Sequence, residues 1–338
     1  MRPSFTCSLI NNPFGDPGLY VDIAWARRAL LFDLGQNAAL GPTRLLRAED
    51  IFISHTHMDH FIGFDQLLRV HLGRGKTLRL YGPPGLADNV DGKLRGYTWN
   101  LVDGSPLTIE VREFHPGLLH VTTFTAGDGF VRQSIPPSPG PHDAMQTPFP
   151  VLQEAAFTVS AVPLNHRIPS FAYAVQEQFH INILKERLHQ AGLPVGSWLK
   201  DLKHYIWQEK PDTFRFTATL YFEHRREERE FVLGDVRQQF VRISRGQKVA
   251  YVVDARYDPE NEAKIIALAR GADVLYCEAP YLDCDAAKAQ ERYHLTARQA
   301  GWMAKQAGVQ KVVVFHFSPR YTGLGHLLEQ EAVAAFGG

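Results

Sequence analysis

The sequence has few cysteines, no net charge and no long hydrophobic run. Its 338 residues include three cysteines, Cys7, Cys277 and Cys284, and no pair has Cys-x-x-Cys spacing. This excludes a disulfide scaffold and is typical of buried thiols in a reducing compartment. No apolar run approaches the ~18 residues that span a bilayer, and no secretory signal is visible. We therefore expect a cytoplasmic protein that makes no membrane contact.

The balance of charges and the apolar content exclude several further classes of protein. Thirty-six Lys and Arg residues offset 36 Asp and Glu residues, while 45% of the chain is hydrophobic. This composition excludes disorder, collagen, coiled coil and a small basic nucleic-acid module, and it is typical of a globular protein. The one compositional oddity is histidine, of which there are 15.

Short apolar strands and amphipathic helices alternate along the chain. Strands are predicted early, over 4–10, 19–24, 29–32 and 50–53. The last third alternates most regularly, with predicted strands over 249–253, 274–278 and 312–315 and predicted helices over 259–270, 296–306 and 325–335. Such alternation predicts an α/β layered fold with sheets inside and helices outside.

The middle of the chain is less regular. Six prolines lie within residues 134–150, which predicts a loop there and not a folded element. The apolar spacing over 180–190 predicts a helix, and Gly192 and Pro194 follow it.

The strongest chemical signal is a histidine-rich segment directly after an apolar strand. Residues 54–60 read Ser-His-Thr-His-Met-Asp-His. In an extended segment His55 and His57 share a face, and Asp59 and His60 begin the following helix. Imidazole and carboxylate ligands together suit a divalent ion, zinc foremost. The alternative is a solvated histidine-rich loop.

Four further polar residues end apolar strands elsewhere in the sequence. They are Asp33, His166, Asp254 and His316. Each alone could be a cap or turn residue, but layered α/β folds place their functional sites at strand ends. The repetition therefore indicates a shared site.

Taken together, these residues resemble the metallo-β-lactamase superfamily, and the ribonuclease Z branch within it. The branch resemblance rests on Phe-His-Phe-Ser-Pro-Arg-Tyr over 315–321, on Cys-Glu-Ala-Pro over 277–280 followed by His-Leu-Thr over 294–296, and on residues 192–203. The resemblance implies a four-layer αββα sandwich formed by one domain over 1–338. It also implies an inserted arm over 177–210 that binds RNA or contacts a second copy in a homodimer. Trp198 and Tyr205 could stack on RNA there.

The same resemblance implies two metal ions, most simply zinc, with manganese or iron as alternatives. Asp254 would bridge the two metals, and Asp33 would orient their ligands by hydrogen bonding. The remaining implied ligands are His55, His57 and His166 for one metal, and Asp59, His60 and His316 for the other.

The implied chemistry is phosphodiester hydrolysis. A water activated by the two metals would attack phosphorus, with Asp59 as proton acceptor. His294 would protonate the leaving oxygen, and Glu278 would hold its tautomer. The alternative for these two residues is structural, as a neighbour of a helix N-cap and a strand-end acid.

Three functional hypotheses follow. The first is a ribonuclease Z-type enzyme that cuts the 3′ trailer from precursor tRNA, which the pairing of His294 with Glu278 favours. The second is a hydrolase of a small cyclic phosphodiester, ester or lactone, which the neutral net charge favours. The third is a non-catalytic RNA-binding relative, which the complete set of expected ligands disfavours.

Overall fold

The computed structural model describes residues 3–140, 146–223 and 225–337. Contacts within the chain define two compact units. The larger unit comprises Phe5–Val151, Val159–Val175 and the chain from Lys248 onward. The smaller unit comprises Leu152–Thr158, Gln176–Gln247 and the N-terminal residues through Ser4.

The described residues form strands and helices in the following order. The strands are β1 Phe5–Leu9, β2 Leu19–Ile23, β3 Arg28–Phe32, β4 Ala48–Phe52, β5 Thr77–Gly82, β6 Thr108–His115, β7 Leu118–Thr125, β8 Arg132–Pro139, β9 Phe149–Gln153, β10 Phe157–His166, β11 Ile168–Glu177, β12 Phe179–Ile183, β13 Arg215–Tyr221, β14 Arg226–Val232, β15 Val241–Arg245, β16 Lys248–Val252, β17 Val274–Glu278 and β18 Val312–Phe315. The α-helices are α1 Gly41–Leu45, α2 Met58–Phe61, α3 Phe64–His71, α4 Leu86–Arg95, α5 Lys185–Gln190, α6 Trp198–Trp207, α7 Leu233–Phe240, α8 Pro259–Ala269, α9 Ala286–Arg292, α10 Ala297–Ala307 and α11 Gly325–Gly337.

Two sheets form the centre of the larger unit. One contains β1 to β8 in chain order, and the other has the order β18-β17-β16-β11-β10-β9. Neighbouring strands from β3 to β6 are parallel, as are those from β16 to β18. Strands such as β17 are buried along most of their length, which explains their continuous apolar runs.

Aromatic side chains fill the space between the two sheets. Phe32 of β3 lies 5.9 Å, centroid to centroid, from both Tyr173 of β11 and Tyr251 of β16, and Phe52 of β4 lies 5.6 Å from Tyr173. Edge-to-face and tilted contacts at these distances stabilise a core beyond the area they bury.

Helices cover the outer face of each sheet. Buried leucines of α3 and α4 pack on the first sheet, and buried residues of α8, α10 and α11 pack on the second. The order of layers is therefore helix, sheet, sheet, helix, as expected from the sequence. The helix predicted over 296–306 is α10, and Thr296 and Gln299 form the capping box that begins it.

The proline-rich stretch 134–150 differs from the predicted loop. Residues through Pro139 belong to β8, which pairs antiparallel with β7, and β9 begins at Phe149. Because β8 is the edge strand of its sheet, the N–H groups that its prolines lack are not needed on the open side. Residues 141–145 lie outside the described chain.

The smaller unit contains two antiparallel pairs, β12 with β15 and β13 with β14, and helices α5 to α7. The helix predicted over 180–190 is wrong in its first half, because Phe179–Ile183 pairs with β15 and only Lys185–Gln190 is helical. Residues 179–183 alternate as a strand whose partners lie 58 to 66 positions further along the chain, and local periodicity does not reveal such a pairing.

The predicted arm, 177–210, lies within this smaller unit. Trp198 is 2% exposed and stacks on Phe231 with a centroid separation of 5.5 Å. It is therefore a core residue, and the idea that it stacks on RNA is wrong. None of the helices in the described ranges is long and apolar enough to cross a bilayer.

Candidate metal centre

The predicted site residues meet at one edge of the larger unit. Asp33 follows β3, the segment 54–60 follows β4, and Asp254 follows β16. Glu278 is the last residue of β17, and His316 follows β18. Because these strands run parallel within their sheets, their carboxyl ends lie at the same edge.

Three of these positions have a left-handed backbone that side chains rarely adopt. The φ angles are 59° at Asp33, 48° at Asp254 and 61° at His316. Each such residue costs on the order of 1–3 kcal/mol and persists where the surroundings enforce it. Each lies one or two residues after the end of a strand, so the turn redirects the side chain toward the shared edge.

Close backbone approach also shapes the histidine-rich loop. A Cβ on Gly63 would lie 2.2 Å from the Gly35 carbonyl oxygen, and a Cβ on Gly35 would lie 2.8 Å from the Asp59 carbonyl oxygen. Both positions therefore require glycine. Because these glycines have no side chain, the loop after β3 packs closely against the two ends of helix α2. This packing holds α2, which carries Asp59 and His60, in place.

The first donor cluster contains His55, His57, His166 and Asp254. One ligand atom from each lies within 4.8 Å of the others. Nε2 of His55 is 3.4 Å from Oδ2 of Asp254, and Nε2 of His166 is 3.2 Å from the same oxygen. Three imidazoles and a carboxylate form a ligand set that zinc accepts.

The second cluster contains Asp59, His60 and His316, whose ligand atoms also lie within 4.8 Å of one another. Nε2 of His60 is 3.4 Å from Oδ2 of Asp254, and Nδ1 of His316 is 3.0 Å from Oδ1 of Asp254. Asp254 therefore faces both clusters, which matches the bridging position that the sequence resemblance implies.

Hydrogen bonds behind the clusters orient the ligand nitrogens. Nδ1 of His60 contacts Oδ2 of Asp33 at 2.9 Å, and this directs Nε2 toward the site. Nδ1 of His166 donates to the Tyr293 carbonyl at 2.8 Å with the same result. The Ser54 hydroxyl donates to Asp33 at 2.8 Å and lies 3.1 Å from Nδ1 of His55. Such partners fix both the tautomer and the ring direction of a ligand histidine.

Several donor atoms of the two clusters are buried without a hydrogen bond, as expected of atoms that bind a cation. Among the described residues, Nε2 of His55 and of His60, Nδ1 of His316 and Oδ1 of Asp254 are buried and form no hydrogen bond. The 3.0 Å contact between the last two atoms lacks hydrogen-bond geometry. Buried polar atoms of this kind are rare in native proteins. Here they converge on the same points, and a divalent cation in each cluster would satisfy all of them.

The electrostatics differ between the two clusters. In the first cluster, burial lowers the pKa of His55, His57 and His166, which favours the neutral imidazole that binds metals. In the second cluster, burial would lower the pKa of His60 and His316, but the facing carboxylates, Asp254 foremost, raise both, so a cation bound there displaces protons. Burial alone would raise the pKa of Asp254, but His60 and His316 outweigh it, and the pKa lies well below its usual range. Asp254 is therefore a carboxylate.

His294 and Glu278 form a pair next to the clusters. Nδ1 of His294 is 2.8 Å from Oε2 of Glu278, and the other carboxylate oxygen accepts from the backbone N–H groups of Ala255 and Leu295. Burial would lower the pKa of His294, but the charge and hydrogen bond of Glu278 raise it. Ligand atoms of both residues lie within 4.8 Å of those of Asp254 and His316.

The structure thus brings together every residue that the sequence assigns to the site. Three partners were missed: Ser54, Tyr293 and Tyr251, whose hydroxyl donates to Asp33 at 3.1 Å. Ser54 directly precedes the histidines, a signal that could have been used. Tyr251 lies within an apolar strand and gave none.

This fold and donor set define a metallo-β-lactamase-fold protein. The chain resembles the metallo-β-lactamase fold protein YhfI from Bacillus subtilis, with a TM-score of 0.55 and 15% identity over 98% of this chain and 93% of that one. It also resembles the human tRNase Z short form, with a TM-score of 0.53 and 19% identity over 94% and 93% of the two chains. The predicted fold is therefore confirmed.

Sequence relatives define the family. Ribonuclease Z of Deinococcus radiodurans is 29% identical over 94% of this chain and 91% of its own length. Ribonuclease Z of Limosilactobacillus fermentum is 31% identical over 87% and 78%, and that of Brevibacillus brevis is 30% identical over 86% and 76%. No family model matches the chain. On these relatives, the chain belongs to the ribonuclease Z family.

Proposed function

We propose that this protein is a metal-dependent endoribonuclease that removes the 3′ trailer from precursor tRNA. One observation carries the proposal: Asp254 of the first donor cluster also contacts His60 and His316 of the second, beside a His294–Glu278 pair, in a chain of the ribonuclease Z family. Each cluster supplies ligands for one cation, and the pair supplies a proton donor next to them.

In this proposal each donor cluster would supply the ligands of one divalent cation. His55, His57 and His166 would hold one, Asp59, His60 and His316 the other, and Asp254 would bridge them. When bound, two such cations neutralise the charge of a phosphodiester and lower the pKa of a water molecule to about 7. We propose zinc, and the same ligands also accept manganese or iron.

The side chains of the site have separate roles in the reaction. The Asp59 side chain is 42% exposed, so its carboxylate can reach an attacking water and accept its proton. His294 donates a proton to the leaving oxygen through Nε2, since Nδ1 faces Glu278. Glu278 is fully buried and held by two backbone N–H groups, so it fixes the imidazole. Asp33 holds His60 in the orientation that a ligand needs.

We propose that the smaller unit makes a further contact, either with the RNA substrate or with a second copy of the protein. Lys185, Arg187 and Lys200 are exposed on its helices α5 and α6 and could contact RNA phosphates. We also propose that the enzyme acts as a homodimer in the cytoplasm, as the resemblance to the family suggests.

The test is a substrate comparison with matched variants. Metal-loaded wild type is given a 3′-extended precursor tRNA, bis(p-nitrophenyl) phosphate and a lactone. Asp59→Ala removes the exposed carboxylate of the site. Asp103→Ala is the matched control, because Asp103 is exposed and precedes β6 at the edge opposite the site.

The proposal predicts precursor tRNA cleavage by wild type and by Asp103→Ala, and none by Asp59→Ala. Efficient lactone or small-diester hydrolysis without any cleavage of precursor tRNA would contradict it. That result would instead assign the chain to the small-substrate hydrolases.

A further inference from the structure

Two arginines flank a tyrosine at the rim of the metal centre. Arg167 directly follows the ligand His166, and Arg256 is two residues beyond Asp254. Tyr293 directly precedes His294. Chain continuity therefore places all three beside residues of the site, although none belongs to a donor cluster.

The tyrosine ring contacts both guanidinium groups. The Arg167 guanidinium carbon lies 4.7 Å from the centroid of the Tyr293 ring, and that of Arg256 lies 5.2 Å from it. These are cation–π distances, which hold a guanidinium in place without consuming its donors. Tyr293 is itself fixed, because its carbonyl accepts from Nδ1 of His166 at 2.8 Å.

The two positive charges have no acidic partner. In the part of the chain that the structure describes, no carboxylate lies within ion-pair distance of Arg167 or Arg256. The Arg167 guanidinium donates a hydrogen bond to the Glu291 carbonyl, at 3.4 Å. With the Gln290 amide oriented so that its nitrogen donates to the Tyr257 carbonyl, its oxygen accepts from Arg256 at 2.9 and 3.1 Å.

Other arginines in the same region are neutralised. Arg298 pairs with Asp283 at 3.3 Å, and Arg320 pairs with Asp285 at 3.0 Å. The chain as a whole carries equal numbers of acidic and basic residues. Arg167 and Arg256 therefore form a locally positive site beside the donor clusters, although the protein as a whole is neutral.

We infer that Arg167 and Arg256 form a phosphate-binding subsite for the RNA backbone next to the scissile bond. Guanidinium groups recognise phosphate oxygens through several N–H donors, and contact with the Tyr293 ring holds both groups in place. The bonds of Arg256 to Gln290 come from Nε and Nη2, so its Nη1 stays available to a phosphate. Arg167 is exposed and Arg256 is half-buried, so both remain accessible to a strand entering the site. This inference rests on the proposed function.

The experiment compares two substrates over a range of salt concentrations. Precursor tRNA carries phosphates on both sides of the scissile bond, whereas bis(p-nitrophenyl) phosphate carries one phosphate only. Arg167→Ala, Arg256→Ala and the double variant are compared with wild type. Arg74→Ala is the matched control, because Arg74 is exposed and precedes β5 at the opposite edge of the parallel strands.

We expect each single variant to raise KM for precursor tRNA roughly tenfold or more, the effect of one charged hydrogen bond. The loss for the RNA should exceed the loss for the small diester by at least that factor. Each lost phosphate contact should also reduce the slope of log(kcat/KM) against log[salt] by about 0.7. Arg→Lys variants should recover part of the loss.

A purely structural role gives a different pattern. If the arginines only held Tyr293, and through it His166, their variants would lose bound metal and slow both substrates equally. That result, or an unchanged KM for the RNA, would overturn the inference.

A competition assay separates this inference from the proposed function. Precursor tRNA is added as an inhibitor of small-diester hydrolysis. One outcome is that the RNA inhibits wild type but does not inhibit the arginine variants, and that no RNA is cut. The proposed function then fails, and the subsite stands. If the RNA does not inhibit wild type, the subsite is refuted.

Discussion

Replacing Asp33 by asparagine should weaken cation binding although Asp33 is not a ligand. The carboxylate is completely buried and accepts four hydrogen bonds. Oδ1 accepts from the Ser54 N–H at 2.7 Å. Oδ2 accepts from the hydroxyls of Ser54 and Tyr251 at 2.8 and 3.1 Å and contacts Nδ1 of His60 at 2.9 Å. Every partner is a donor, so the site requires an acceptor at both positions.

An amide cannot satisfy this arrangement in either orientation. With its nitrogen at the Oδ1 position it faces the Ser54 backbone N–H, which cannot turn away, and an unpaired buried donor costs about 1–3 kcal/mol. With its nitrogen at the Oδ2 position it faces Nδ1 of His60. The histidine then keeps an unpaired donor or moves its proton to Nε2, the atom that faces Asp254. A protonated Nε2 cannot bind a cation.

We therefore expect Asp33→Asn to lower zinc affinity by roughly 10- to 100-fold, the range for lost hydrogen-bonding partners of ligand histidines. The assay is competitive titration of metal-free protein with zinc against a chelator, alongside thermal unfolding. Tyr251→Phe is the milder comparison, because it removes one of four donors and should cost only about 0.5–1.5 kcal/mol in folding stability. Wild-type zinc affinity in Asp33→Asn would refute the claim that Asp33 sets the direction of His60.

Two other substitutions test separate parts of the structure. His294→Ala should reduce kcat for precursor tRNA by about 10²–10⁴ while bound metal stays unchanged, and a kcat equal to that of wild type would remove His294 from the mechanism. Asp50 is fully buried between Arg28 and Arg79, at 2.5 and 2.7 Å, so Asp50→Asn should lower the free energy of unfolding by about 3–5 kcal/mol in urea titration at pH 7. Burial opposes ionisation of Asp50, but the two arginines hold its folded-state pKa below the ordinary value. The stabilisation by ionised Asp50 is therefore fully present above the unfolded-state pKa of about 3.9, and it is lost as pH falls through the folded-state pKa. If the Asp50→Asn variant lost as much stability in acid as wild type does, this explanation would be contradicted.

Local sequence signals were sufficient for much of the fold. The apolar run of β17 predicts a buried strand at its observed bounds, Val274–Glu278, and Thr296 with Gln299 marks the start of α10. These features depend on neighbouring residues, which a linear pattern contains. The donor residues were also predictable, because each lies at the end of a strand or in the segment that follows one.

Features that depend on distant partners were not predictable. β8 is a strand despite its prolines because it lies at a sheet edge, and β12 is a strand because β15 pairs with it. The contact between Tyr251 and Asp33 joins residues 218 positions apart. The stacking of Arg167 and Arg256 on Tyr293 similarly joins three separate segments.

The central claim is that this metal centre cuts precursor tRNA at one defined phosphodiester. The most direct measurement is end mapping of the products of a 3′-extended precursor tRNA incubated with the metal-loaded protein. We predict a single cut beside the discriminator nucleotide, abolished by a chelator and by Asp59→Ala. Cuts scattered along the RNA, or an intact precursor beside active small-diester hydrolysis, would contradict the account.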